Sequence, residues 1–128
     1  AETLRIRAAI APNVAIMADV DVKHARPLAP GFDRGEAARE TFIRGGADGL
    51  IVSGSSTGAP VADEDLHEVR EAVPEAPLWI GSGASPSSIA GLLQTATGVI
   101  VGTSIKVDGD VRGPVDPARA RAFVTAAR

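Results

Sequence analysis

The segment Met17-Ala18-Asp19-Val20-Asp21-Val22-Lys23-His24-Ala25 holds the residue types best suited to chemistry. In an extended chain successive side chains alternate, so Asp19, Asp21 and Lys23 share one face and Ala18, Val20 and Val22 the other. Where the apolar face meets helices, two carboxylates and an ammonium point into a common mouth. Charge in a confined site is costly unless paired. The cluster is therefore either an internal ion-pair network or a catalytic set with tuned proton affinities. Lys23 suits a Schiff-base nucleophile or general acid, and Asp19 and Asp21 suit acid–base work beside it. His24 with the two aspartates would complete an O,O,N metal set, but Lys23 on the carboxylate face opposes a second cation. No metal and no cofactor are expected. His67, among Asp and Glu, reads as a solvated surface residue.

Three further segments suit ligand binding. Ser53-Gly54-Ser55-Ser56-Thr57-Gly58 lets backbone amides approach an anion or a sugar, with Ser53, Gly54, Thr57 and Gly58 as the candidate contacts. The same composition also makes an ordinary flexible loop. Gly81-Ser82-Gly83 precedes Ser85-Pro86, which reads as an N-cap followed by proline at the first helical position. Gly102-Thr103-Ser104 closes the last apolar run. Glycine admits a phosphate to the main chain, and a helix N-terminus supplies unpaired amides with a favourable dipole. These residues are expected to hold phosphate; the alternative is that the glycines only permit tight strand–helix packing. Lys106 either reaches the same phosphate or pairs with Asp108, and Arg112 is in the same position. Arg26 reads as a surface residue or a substrate clamp.

The elements that must position these groups are legible in the apolar pattern. Val14–Val22, Gly49–Ser53, Leu78–Ile80 and Gly98–Gly102 have the content and flanking Gly or Pro of buried strands. Three of them are almost continuously apolar, as in a parallel sheet covered on both faces. Glu36–Arg44 carries Ala38 and Phe42 four apart and stops at Gly45-Gly46. Asp63 is the expected N-cap of a helix presenting Leu66, Val69 and Val73 before Pro74. Ser85-Pro86 opens a helix with Ile89, Leu92 and Leu93 inward. Asp116-Pro117 opens another with Ala122, Phe123 and Ala126 inward. Thr3–Ile10 looks like the end of an amphipathic helix with Leu4, Ile6 and Ile10 apolar. The segment Gly46–Ser53 is echoed by Thr95–Gly102, either through duplication of βα pairs or because buried parallel strands look alike.

Composition excludes several function classes. The 128 residues carry 13 Lys and Arg against 16 Asp and Glu, a net charge of −3 that opposes a nucleic-acid or polybasic membrane footprint. There is no cysteine, so neither disulfides nor thiolate metal sites occur in the chain. No apolar run approaches the roughly 18–20 residues that span a bilayer. No signal-peptide pattern opens the sequence. A cytoplasmic protein is expected. Only two of the 13 cations are lysines, Lys23 and Lys106, and both follow apolar strand-like runs.

Four successive βα units imply right-handed crossovers and a parallel α/β sheet. A (β/α)₈ barrel needs about 250 residues, so residues 1–128 are expected to be a single domain forming half of one. A small open α/β sheet is the alternative. In barrels the catalytic and phosphate groups occupy the βα loops at the C-terminal ends of the strands, where the segments above fall.

The motifs, in order, also resemble a known family. Asp19-Val20-Asp21-Val22-Lys23-His24-Ala25 with Pro27-Leu28, Arg44-Gly45-Gly46-Ala47-Asp48-Gly49, Ile51-Val52-Ser53-Gly54 with Thr57-Gly58, Gly81-Ser82-Gly83, and Val101-Gly102-Thr103-Ser104-Ile105-Lys106 with Asp108-Gly109 are similar to the BtpA/SgcQ family. That family is named for a photosystem I biogenesis factor and includes TIM-barrel and nucleosidase-like proteins. The resemblance runs from Val14 to Arg128 and implies strands five to eight of a (β/α)₈ TIM barrel, the C-terminal half. The first four βα units have no counterpart here. Unpaired sheet edges invite pairing with another chain, so a homo-oligomer or association with an N-terminal half is expected.

The expected function is binding of a phosphorylated small molecule, a phosphosugar or nucleoside-like ligand. Lyase or aldolase, isomerase or nucleosidase-like chemistry would fall to Asp19, Asp21 and Lys23. Ser53, Gly54, Thr57, Gly58, Gly81, Ser82, Gly83, Gly102, Thr103, Ser104 and Lys106 would hold the ligand. The rival expectation is a non-enzymatic assembly or biogenesis factor that uses the barrel scaffold for protein contacts.

Overall fold

Four short strands pair in parallel, in chain order, in a computed structural model that describes residues 2–21, 31–54 and 59–128. They are β1 (Met17–Asp19), β2 (Gly49–Val52), β3 (Leu78–Ile80) and β4 (Gly98–Val99). Helix α1 (Glu2–Ile10) precedes them. Between and after them come α2 (Arg34–Arg39), continued by a π-helical stretch Glu40–Arg44, then α3 (Asp63–Ala72), α4 (Ile89–Leu92) and α5 (Pro117–Ala126). The alternation is that of an α/β half-barrel of βα units.

Register explains the layering. Ala18 lies beside Leu50, Leu50 beside Leu78, and Ile80 beside Val99. These residues face the helices, and Leu50, Val52, Leu78 and Ile80 are buried there against Leu66, Val69 and Val73 of the α3 segment. A second cluster forms where Ile89 of α4 meets Phe123 of α5 and Ala84. Asp116 caps α5 as expected, its carboxylate accepting from the Ala118 and Arg119 amides at 2.7 and 3.3 Å.

The other face of the sheet carries Met17, Asp19, Ile51 and Trp79, with Ile100 just beyond β4. It is not covered as the apolar runs suggested: Met17 is 36% and Ile100 51% exposed. Large side chains lie over glycines here, Met17 against Gly49 and Trp79 against Gly98.

Several expectations are corrected. β1 is shorter than Val14–Val22 and β4 shorter than Gly98–Gly102. The N-cap of α3 is Ala62, so Asp63 is its first helical residue. There its carboxylate still complements the helix dipole. Ala122 is exposed, being one position off the stripe defined by Phe123. No residue of α1 is buried. That helix is tied down by polar contacts: Arg7 pairs with Asp48, whose carboxylate also accepts the Ile16 amide at 2.7 Å.

Candidate functional site

The C-terminal ends of the strands form a rim on which the candidate groups stand. Asp19 ends β1, and its Oδ1 lies 3.2 Å from the hydroxyl of Ser53, which follows β2. The same hydroxyl is 3.2 Å from the carbonyl of Gly81, which follows β3. Three neighbouring strands are thus linked through one serine. Asp21 takes a different partner. β1 ends at Asp19 and the chain bends, so the two-residue alternation no longer applies. Asp21 Oδ2 stands 3.6 Å from Arg34 Nη2 at the start of α2. Arg34 also binds Asp65 at 2.5 Å and Glu68 at 3.4 Å on α3. The two aspartates expected to act together therefore have separate surroundings, Asp19 in the rim and Asp21 in an ion-pair network. Lys23, His24 and Arg26 lie outside the described residues, as do Thr57 and Gly58.

The last two loops converge on one cavity of about 470 Å³, lined by Gly81, Ser82, Gly83, Gly102, Thr103 and Ser104. The sequence alone grouped these six. Their local roles differ. Gly83 has φ +72°, and a Cβ there would collide with the Ala59 carbonyl. Gly54, buried, approaches the same carbonyl. These two glycines admit close backbone packing. Gly102 differs, because a Cβ there would meet nothing within 4 Å. Its missing side chain leaves room open.

The helix expected to open at Ser85-Pro86 does not do so. Residues 86–88 form a turn and α4 is a single turn beginning at Ile89. The Ser85 amide is already engaged by Ser88 Oγ at 3.0 Å, and its carbonyl accepts from the Ser88 and Ile89 amides. So short a helix has little dipole to offer an anion. Lys106 is not among the cavity-lining residues; its Nζ donates to the Val111 carbonyl within its own loop.

Sequence reasoning missed Arg119. It lines the cavity and its Nε donates to the Ser104 carbonyl at 3.2 Å. A signal was present: Asp116-Pro117 sets the helix start and puts Arg119 in the first turn, where the dipole disfavours a cation. A charge placed against the helix field points to a use outside the helix. Among the described residues Ser104 Oγ is buried without a hydrogen-bond partner. Also among the described residues, no cluster of His, Cys, Asp and Glu could hold a metal ion. No described helix is long and apolar enough to cross a membrane.

Comparison with known proteins bears on the whole chain. It is 46% identical over 126 residues to the photosystem I biogenesis protein BtpA of Synechocystis, covering 98% of this chain and 43% of that protein. It is 37% identical over 123 residues to an uncharacterized protein of Pyrococcus furiosus, covering 96% of this chain and 45% of the relative. A mitochondrial uncharacterized protein of Caenorhabditis elegans is 33% identical over 123 residues, covering 94% and 43%. The chain thus spans less than half the length of these curated relatives. No solved structure matches it. The BtpA family model matches residues 1–128, end to end, and with relatives this similar along nearly its whole length the chain belongs to the BtpA family.

Proposed function

We propose that the rim binds a phosphorylated small molecule, with the phosphate in the cavity between the loops after β3 and β4 and the rest of the ligand lying across Ser53 toward Asp19. The observation that carries this reading is the convergence of Gly81, Ser82, Gly83, Gly102, Thr103 and Ser104 on one cavity. Strand neighbours lie about 4.8 Å apart, so Asp19 on β1 stands about 10 Å from the end of β3. That separation suits a phosphosugar or nucleoside-like ligand better than free phosphate alone. Asp19 is the proton-transfer group of this reading, Ser53 orients it, and Lys23 acts as general acid or Schiff-base nucleophile. Asp21 fixes the end of β1 through Arg34. An eight-stranded barrel, completed by a second copy or by an N-terminal half, covers the exposed face bearing Met17, Trp79 and Ile100.

The test is a thermal melt of the chain with and without millimolar phosphate and ribose 5-phosphate. Binding to the native state raises the midpoint by mass action, by about 2.7 kcal/mol of stability at a ligand concentration of 100 times Kd. A folded sample whose midpoint neither ligand moves overturns the reading.

A second reading is favoured by the 46% identity to a photosystem I biogenesis protein. In it the scaffold serves protein assembly and the exposed sheet face or edges carry the contacts. It expects no ligand-induced shift, so the same melt separates the two.

A further inference from the structure

We infer that Arg119 is the charge-selecting residue of the cavity and that the group it selects is a phosphate monoester. This rests on the phosphate reading above and adds to it the residue and the charge state.

The cavity lining is otherwise glycine, hydroxyl and aliphatic side chains, and Arg119 is the charged residue among those that line it. No carboxylate among the described residues lines it to cancel that charge. The end of α5 is not an alternative anion binder. The Asp116 carboxylate already accepts the Ala118 and Arg119 amides, so the formal charge in the cavity lining is that of the Arg119 side chain. Lys106 is held by the Val111 carbonyl.

Geometry prepares Arg119 for this role. Its Nε donates to the Ser104 carbonyl at 3.2 Å, on a side chain that is otherwise exposed. That contact orients the guanidinium plane and leaves the terminal nitrogens as a fork. Such a fork matches two oxygens of a phosphate, which a lysine ammonium cannot do. Ser104 itself supplies the second observation: its buried Oγ has no partner among the described residues. A buried hydroxyl without a partner is unfavourable, and a χ1 rotation moves it between staggered positions. An acceptor oxygen in the adjoining cavity gives it the partner it lacks. Gly102 leaves the approach open. A phosphate monoester presents three acceptor oxygens and between one and two negative charges near neutral pH. A neutral sugar offers Arg119 no charge to pair with.

Affinities for inorganic phosphate, ribose 5-phosphate and ribose would be measured on the chain and on R119M, R119K and S104A. Losing a charge-assisted contact should weaken phosphate and ribose 5-phosphate binding roughly 10- to 100-fold in R119M. R119K should fall between, because it restores charge without the fork. S104A should lose a smaller factor, and raising salt should weaken binding by wild type more than by R119M. Should R119M not fold, R119K carries the comparison, and its ligand-free melting midpoint controls for stability. Wild type binding phosphate with R119M and R119K equally tight leaves the phosphate site standing and overturns the role of Arg119. Ribose bound as tightly as ribose 5-phosphate overturns the choice of a monoester. Wild type binding neither phosphate nor ribose 5-phosphate overturns both readings together.

Discussion

The hydroxyl of Ser53 stands 3.2 Å from the Asp19 carboxylate, joining the ends of two adjacent parallel strands at the rim. Beyond it the Gly81 carbonyl lies at the same distance on the third strand. The serine has one proton to give, so it donates to Asp19 or to Gly81 at any moment. On the proposed function, Asp19→Asn should remove turnover of a substrate while leaving phosphate affinity within about twofold. Ser53→Ala should lower turnover by less, since Asp19 keeps its carboxylate. Steady-state kinetics beside phosphate titration checks both, and turnover retained in Asp19→Asn would remove its proton-transfer role.

Two glycines in one cavity should respond in opposite ways. Gly83→Ala forces a left-handed backbone on alanine and drives its Cβ into the Ala59 carbonyl. A left-handed residue alone costs roughly 1–2 kcal/mol, so urea unfolding should show at least that loss. Gly102→Ala meets no neighbouring atom. Its loss should appear in phosphate binding rather than in the urea midpoint.

Glu68 should prove more important to stability than its exposed position suggests. Its Oε1 accepts the amides of both Arg34 and Gly35 at 3.1 Å, so α3 caps the start of α2. Cap losses run to about 1 kcal/mol, and Glu68 also binds the Arg34 side chain. Glu68→Ala should therefore cost about 1–2 kcal/mol by urea unfolding. Arg34→Met should in addition release Asp21, visible as faster amide exchange at the end of β1.

Acid should loosen α1 before the core. The Ile16 amide bonded to Asp48 holds its carboxyl below the usual carboxylate range; desolvation opposes this, and Arg7 adds to the lowering. A depressed folded-state value means the stabilisation is complete above the ordinary aspartate range. It is lost as pH falls through the lowered value. An acid titration followed by amide exchange in residues 2–10 should show protection falling below about pH 4. Asp48→Asn should abolish that pH dependence.

Much of this was written locally in the chain. The four strand cores, the α5 cap at Asp116 and the inward positions Leu66, Val69, Val73, Ile89 and Phe123 follow from periodicity and capping chemistry. So does the grouping of the Gly81 and Gly102 loops, since parallel βα units place successive loops at one end of the sheet. Two local signals failed. Ser85-Pro86 has the composition of a helix start, but the helix itself begins only at Ile89. Apolar Ile6 and Ile10 of α1 suggested a buried stripe, yet both are exposed, and the helix is held by the Arg7–Asp48 pair.

The sequence by itself determined the parallel βα architecture and the grouping of the Gly81 and Gly102 loops at one end of the sheet, because hydrophobic period, turn glycines and caps act within a few residues. Only the tertiary structure separated Asp19 from Asp21, turned Lys106 into its own loop and brought Arg119 to the cavity. Those outcomes depend on which distant group lies within hydrogen-bond reach. Arg34 is 13 positions beyond Asp21, and Arg119 is 15 beyond Ser104. Spacing along a chain does not encode such distances until the strands have paired and the helices have packed.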